Sequence, residues 1–144
     1  MKTVLRPATS GDLPALEIIE NESFPKPHWQ GQDFTRYEAT VAEVEGQIAG
    51  FLISRQTFRS PAGTPGEREI LNVATSRRFR RQGVATALLE HEVQGVATWF
   101  LEVRESNVAA QNLYLKLGFE EVARRAGYYQ NPVETAIVMR LKRC

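Results

Sequence analysis

The stretch RRFRRQGVATALL at 77–89 sets four arginines into five positions, follows them with Gln82 and Gly83, and then turns apolar. A glycine between a strand and a helix permits an unusual backbone angle and lets a ligand come close. The amides of the first helical turn then face outward at the positive end of the helix dipole, an arrangement suited to phosphate. Two readings compete: a main-chain cradle for a diphosphate with arginines at its rim, or a solvated basic face ahead of an ordinary helix. Neither common nucleotide loop is present, since the chain has no G-x-x-x-x-G-K-S/T and no G-x-G-x-x-G. Downstream, Glu102 lies in FLEVR beside Phe100 and Leu101, where desolvation raises a carboxyl pKa. The plainer reading of Glu102 is an ion pair with Arg104 at a strand end. Tyr114 falls on a stripe with Ala110, Leu113 and Leu117 at i, i+3, i+4, i+7 spacing. Periodicity alone makes it a core tyrosine, whose hydroxyl still wants a partner.

These groups need a scaffold. Thr9 or Ser10 is set to cap a helix through DLPALEIIENES, which carries acidic residues early, where they suit the dipole. ATVAEVE (39–45) and QIAGFLISRQTF (47–58) read as strands joined by a turn at 45–46. SPAGTPGE (60–67), with its prolines and glycines, is a connection, and REILNVAT (68–75) is a more buried strand. A helix follows Gly83 and ends near Glu92; ATWFLEVR (97–104) is a strand. SNVAAQNLYLKLGF is a helix opening on a capping serine or asparagine and closing at Gly118. Strands near 119–125 and 134–142 finish a β-α-(α)-β-β-β-α-β-α-β-β order, a mixed α/β single domain over 1–144.

Composition bounds the function. With 144 residues, 42% hydrophobic and 24% charged, the chain has the makeup of one globular domain. Formal net charge is only +1, so the arginines are a local feature and the broad basic excess of a nucleic-acid binder is missing. Cys144 is the only cysteine, which excludes an internal disulfide and a cysteine metal site. The only histidines are His28, in a loop, and His91, on an exposed helix face; neither has a partner cluster for metal. No signal-peptide core and no run of membrane-spanning length is present, so a cytoplasmic location is expected.

Arg80-Arg81-Gln82-Gly83-Val84-Ala85 resembles the R/Q-x-x-G-x-G/A signature of the GNAT superfamily of N-acetyltransferases. Asn107-x-x-Ala110-x-x-x-Tyr114-x-x-x-Gly118-Phe119 resembles that family's helix and following strand. LNVA (71–74), LLEHE (88–92), GVATWFLEVRESNVAAQNLY (95–114) and GYY (127–129) are similar to the branch that acetylates the N-terminal alanine of a small-subunit ribosomal protein. The likeness runs from LRPAT to IVMRLKR, nearly the whole chain.

The resemblance implies a single-domain GNAT fold, a mixed and mostly antiparallel twisted sheet of about six or seven strands flanked by about four helices. It implies acetyl-coenzyme A as co-substrate, without metal. The cofactor would contact Val73, Ala74, Thr75, Arg80, Arg81, Gln82, Gly83, Val84, Ala85, Thr86 and Asn107, with backbone amides near Val73 and Ala74 serving the oxyanion. Glu102 would be the general base, and Tyr114 the proton donor to sulfur. Phe24-Pro25 and the pair Tyr128-Tyr129 would meet the acceptor, a protein or peptide N-terminus, with neither nucleic acid nor membrane involved. A monomer or weak dimer is expected. Three departures stand out: the insert Lys26-Pro27-His28, Thr75-Ser76-Arg77 where the branch has V-D-P, and a helix after Gly83 about one turn short. A small-molecule amine acceptor, a non-catalytic coenzyme A sensor and a nucleic-acid binder using Arg77, Arg78, Arg80 and Arg81 are the other readings.

Overall fold

The computed structural model describes residues 2–23, 34, 36–58, 66–130 and 132–143. Seven strands and three α-helices alternate: β1 Thr3–Pro7, α1 Leu13–Ser23, β2 Glu38–Val44, β3 Gln47–Phe58, β4 Gly66–Thr75, α2 Val84–Glu92, β5 Ala97–Arg104, α3 Val108–Lys116, β6 Glu120–Tyr129 and β7 Glu134–Arg143. The strands form one sheet in the order β1-β2-β3-β4-β5-β7-β6. It is mixed: β4 and β5 run parallel from Gly66↔Ala97 to Ile70↔Leu101, while β1–β2, β2–β3, β5–β7 and β6–β7 are antiparallel. The sequence resemblance implies about four helices; three stand among the described residues, with short 3-10 turns at Ser10–Asp12 and Arg77–Phe79. The extra helix expected before β2 would fall largely on residues outside those described.

The chain divides into two compact units. The first comprises Met1–Arg55 and Leu71–Gln94. Its core gathers Leu16 and Ile19 of α1 with Phe34, Val41, Phe51, Ile53 and Ala74, and Phe34 meets Phe51 edge-on at 5.4 Å between ring centroids. The entry to α1 is fixed by charge as well as by a cap. Asp12 accepts hydrogen bonds from Thr9 N at 2.7 Å and from both Arg6 terminal nitrogens at 2.8 and 3.0 Å, while Arg6 also binds Glu43. Thr9, rather than Ser10, occupies the cap position.

The second unit comprises Gln56–Ile70 and Gly95–Cys144. Along β5 the alternation is strict: Ala97, Trp99, Leu101 and Val103 are buried, and Thr98, Phe100, Glu102 and Arg104 stand on the half-exposed face. That period-two pattern places Glu102 and Arg104 side by side on one surface. Helix α3 opens on Asn107, whose Oδ1 accepts from Ala110 N at 3.1 Å, and stops before Gly118 at φ +104. Its stripe behaves as spaced: Tyr114 is buried, Ala110, Leu113 and Leu117 are partly buried, and the Tyr114 ring packs on Phe119.

Candidate active site

In the first unit, the end of β4 leads into the arginine–glycine turn. Buried Phe79 anchors the 3-10 turn, after which Arg81 and Gly83 take left-handed angles, φ +64 and +80. The first intrahelical bond of α2 runs from Ala87 N to Gly83 O at 3.0 Å. The amides of Val84, Ala85 and Thr86 therefore precede the helical ladder, and a glycine cap offers them no side-chain acceptor. They border a cavity of about 200 Å³ lined by Thr75, Arg80, Arg81, Gly83, Val84, Ala85 and Thr86. Open amides, two arginines and the absence of a Cβ at residue 83 fit a diphosphate. Gln82 is exposed and outside this lining.

The four arginines divide their work. Arg78 is turned away, its Nη1 donating to Gln47 at 3.0 Å and its guanidinium over the Phe79 ring. Arg77 N donates to Glu22 Oε1 at 3.0 Å, and Arg80 approaches the Glu22 carbonyl at 3.5 Å. The run is thus a built loop tied to α1. Beneath it lies Gly50 of β3, which sequence patterning did not single out. A Cβ there would stand 2.7 Å from Ala74 O and 2.9 Å from Val84 Cγ1, so the first turn of α2 settles on β3 only because residue 50 has no side chain.

In the second unit, Glu102 sits among aromatic and cationic groups. Burial holds its carboxyl above the ordinary range; Arg125 opposes this, Glu69 adds to it, and a hydrogen bond from Tyr128 lowers it again. Its ion-pair partner is Arg125, with Nη1 at 3.4 and 3.5 Å from the two carboxylate oxygens. The alternative reading, a pairing with Arg104 at the strand end, does not form: Arg104 Nη1 goes to Glu134 at 3.1 Å. Tyr114 is pushed up to about 12 by burial, with Tyr129 adding to the effect, and so keeps its proton. Tyr129 is also pushed to about 12, by burial first and by the Glu102 charge second.

Tyr128 and Tyr129 pack edge to face, with ring centroids 5.2 Å apart. In a regular strand, neighbouring side chains point to opposite faces. Here the β6–β7 register lapses between Arg125 and Tyr129, and Gly127 takes φ +65. This irregularity lets consecutive tyrosines share one surface, Tyr128 under Arg125 at 4.2 Å and Tyr129 under Arg104 at 4.4 Å.

Of the other expected site residues, Val73 lies on the half-exposed face of β4 and Ala74 on the buried one, while Asn107 caps α3. Phe24, Pro25 and the insert Lys26-Pro27-His28 lie outside the described residues. His91 is exposed at the end of α2. Among the described residues, no group of three or more His, Cys, Asp or Glu is placed to hold a metal ion. Likewise, no helix among them is long and apolar enough to cross a membrane.

Comparison with known proteins agrees with the fold. The chain is 37% identical over 145 residues to the ribosomal protein bS18-alanine N-acetyltransferase of Escherichia coli, covering 90% of each chain. The crystal structure of the ribosomal-protein-S18-alanine N-acetyltransferase from Escherichia coli superposes with a TM-score of 0.81 at 35% identity, over 98% of this chain and 94% of that one. Arabidopsis thaliana NAA60, solved in complex with acetyl-CoA, shares the fold at 21% identity, with a TM-score of 0.84 over 99% of this chain and 100% of the other. The sequence model of the acetyltransferase (GNAT) family matches residues 12–119, and the chain belongs to that family of N-acetyltransferase enzymes.

Proposed function

We propose that the protein transfers acetyl from acetyl-coenzyme A to the α-amine of a protein N-terminus, of the ribosomal-protein alanine type, by direct attack. The observation that carries this reading is Glu102: a carboxylate raised by burial, beside a tyrosine pair on a hairpin, in the same unit as a tyrosine that stays protonated. An α-ammonium has a reference pKa near 7.7–8.0, about two units below a lysine side chain, so a carboxylate acting directly or through one water suffices to remove its proton.

The open amides of Val84–Thr86 and the Arg80 and Arg81 side chains would hold the diphosphate of the co-substrate. Glu102 takes the α-ammonium proton, directly or through one water, and passes it to solvent; the neutral amine then attacks, and Glu102 takes its second proton as the C–N bond forms. Main-chain N–H groups near Val73 and Ala74 stabilise the oxyanion. Tyr114 gives its proton to the sulfur as the C–S bond breaks. Tyr128 and Tyr129 pack against the first acceptor residues, as would Phe24 and Pro25. Asn107 serves its helix and the co-substrate together. The activity of the Escherichia coli relative on ribosomal protein bS18 supports the choice of acceptor.

The test is thiol release from acetyl-coenzyme A with an alanine-initiated peptide, the same peptide blocked at its α-amine, a peptide offering only a lysine side chain, and a panel of small amines. Turnover confined to free α-amine peptides, lost in Glu102→Gln, is the expected result. Turnover of small amines alone would move the assignment to a small-molecule acetyltransferase. A Glu102→Gln enzyme as active as wild type would overturn the role of Glu102.

A further inference from the structure

On the half-exposed face of β5, the Arg104 side chain gathers four partners. Its Nη2 donates to the Gln130 carbonyl at 3.0 Å, and its Nη1 to the Pro132 carbonyl and Glu134 Oε1, both at 3.1 Å. Its guanidinium carbon lies 4.4 Å from the Tyr129 ring centroid. The same residue's main-chain carbonyl accepts from Gln111 Nε2 of α3 at 3.1 Å, and Glu134 Oε2 takes the amide of Ser106, just ahead of that helix. Two residues earlier on the same strand face stands Glu102.

We propose that Arg104 is a positioning residue for acceptor binding, clamping the β6–β7 turn and Tyr129 to the strand that carries Glu102 and to the helix that carries Tyr114. The inference rests on the acceptor reading above. The ladder between β6 and β7 does not do this work by itself, because its register lapses from Arg125 to Tyr129, where the tyrosines stand. Past that lapse, Tyr129↔Glu134 is the resumed pair, and both of its members touch the Arg104 guanidinium. Two carbonyls, one carboxylate and one ring face converge on a single planar group. A lysine ammonium has neither the fork geometry nor the flat face to satisfy them together.

The fixed hairpin carries Tyr129 and no residue of the diphosphate cradle, so its loss bears first on the acceptor. The residues lining the diphosphate cradle belong to the first unit, and none of them contacts Arg104 through the bonds above. Loss of the clamp therefore separates two Michaelis constants that a general loss of fold would move together.

The experiment compares wild type, Arg104→Lys, Arg104→Met, Tyr129→Leu and the Arg104→Lys/Tyr129→Leu double variant, with an alanine-initiated peptide and acetyl-coenzyme A varied in turn. Expected for Arg104→Lys is a fall in kcat/KM for the peptide of on the order of tenfold or more, since small misplacements of positioning groups are costly. The KM for acetyl-coenzyme A should stay within about twofold, and the double variant should be little worse than the worse single one. Arg104→Met is the back-up: if it unfolds, the lysine variant, which keeps charge and length, still decides. An Arg104→Lys enzyme equal to wild type, or one in which both Michaelis constants rise alongside a lowered melting temperature, overturns the proposal. Wild type that turns over no α-amine peptide removes the acceptor reading and this inference with it, whereas peptide turnover with a normal Arg104→Lys removes the inference only.

Discussion

Replacing Arg125 by glutamine leaves Glu102 with two upward influences, burial and the Glu69 charge, and only the Tyr128 hydroxyl opposing them. The cation stands 3.4–3.5 Å from both carboxylate oxygens. At that separation, Coulomb's law gives about 1 kcal/mol in water and about 5 kcal/mol at an effective dielectric of 20. Because the Arg125 side chain is 55% exposed, solvent screening takes the interaction towards the lower figure, roughly 1 kcal/mol. One pH unit corresponds to about 1.4 kcal/mol, so the apparent pKa of the acid limb should move by roughly half to one unit. The sign follows from the chemistry: a base must be ionised to accept a proton, and losing a neighbouring cation makes ionisation harder. The acid limb of kcat/KM for an alanine-initiated peptide should move to higher pH, with the alkaline plateau retained. Raising the ionic strength to about 1 M should shrink the difference between the two proteins, because the screening length falls to about 3 Å. A limb that stays in place, or moves to lower pH, would refute the assignment of that limb to Glu102.

Four further outcomes are expected. Tyr114→Phe should lower kcat by on the order of a hundredfold with little change in melting temperature, and wild type should show no loss of activity from Tyr114 ionisation until near pH 12. Gly83→Ala has open space for its Cβ but sits at φ +80, so it should cost about 1 kcal/mol in a melt while raising the KM for acetyl-coenzyme A far more than that for peptide. Gly50→Val should displace α2 from β3, costing about 1–3 kcal/mol and weakening coenzyme A binding in calorimetry, although residue 50 lies outside the cradle's lining. Asp12, held at about 2 mainly by Arg6, contributes stability that is complete above its ordinary value of 3.8 and is lost as pH falls towards 2; Asp12→Asn should remove that part of the acid unfolding profile.

The strands and helices were legible because their signals are local. β-Branched and aromatic residues marked β5 at its observed bounds, Asn107 and Gly118 bracketed α3, and the glycine after the arginines marked the start of α2. Side-chain partnership was less legible. Spacing offered Arg104 to Glu102, since the two share a strand face, but the Gln130 and Pro132 carbonyls and Glu134 draw it away, and Arg125 arrives from β6. That exchange depends on cross-strand register, which two irregularities in the β6–β7 pairing shift without any strong sequence mark beyond Gly127. Gly50 was hidden for another reason: its burial pattern is that of its neighbours, and only the positions of Ala74 O and Val84 reveal what a methyl group would strike.

The interrupted pairing around Gly127 makes hairpin length a variable in its own right. Removing two residues between Arg125 and Tyr129, where four steps along β6 face two along β7, would return that segment to strict alternation, sending one phenol to the far surface and leaving Glu102 on β5 where it is. Acceptor preference could then diverge among descendants of this chain by insertion or deletion in a single exposed strand, without any change to Glu102 or Tyr114.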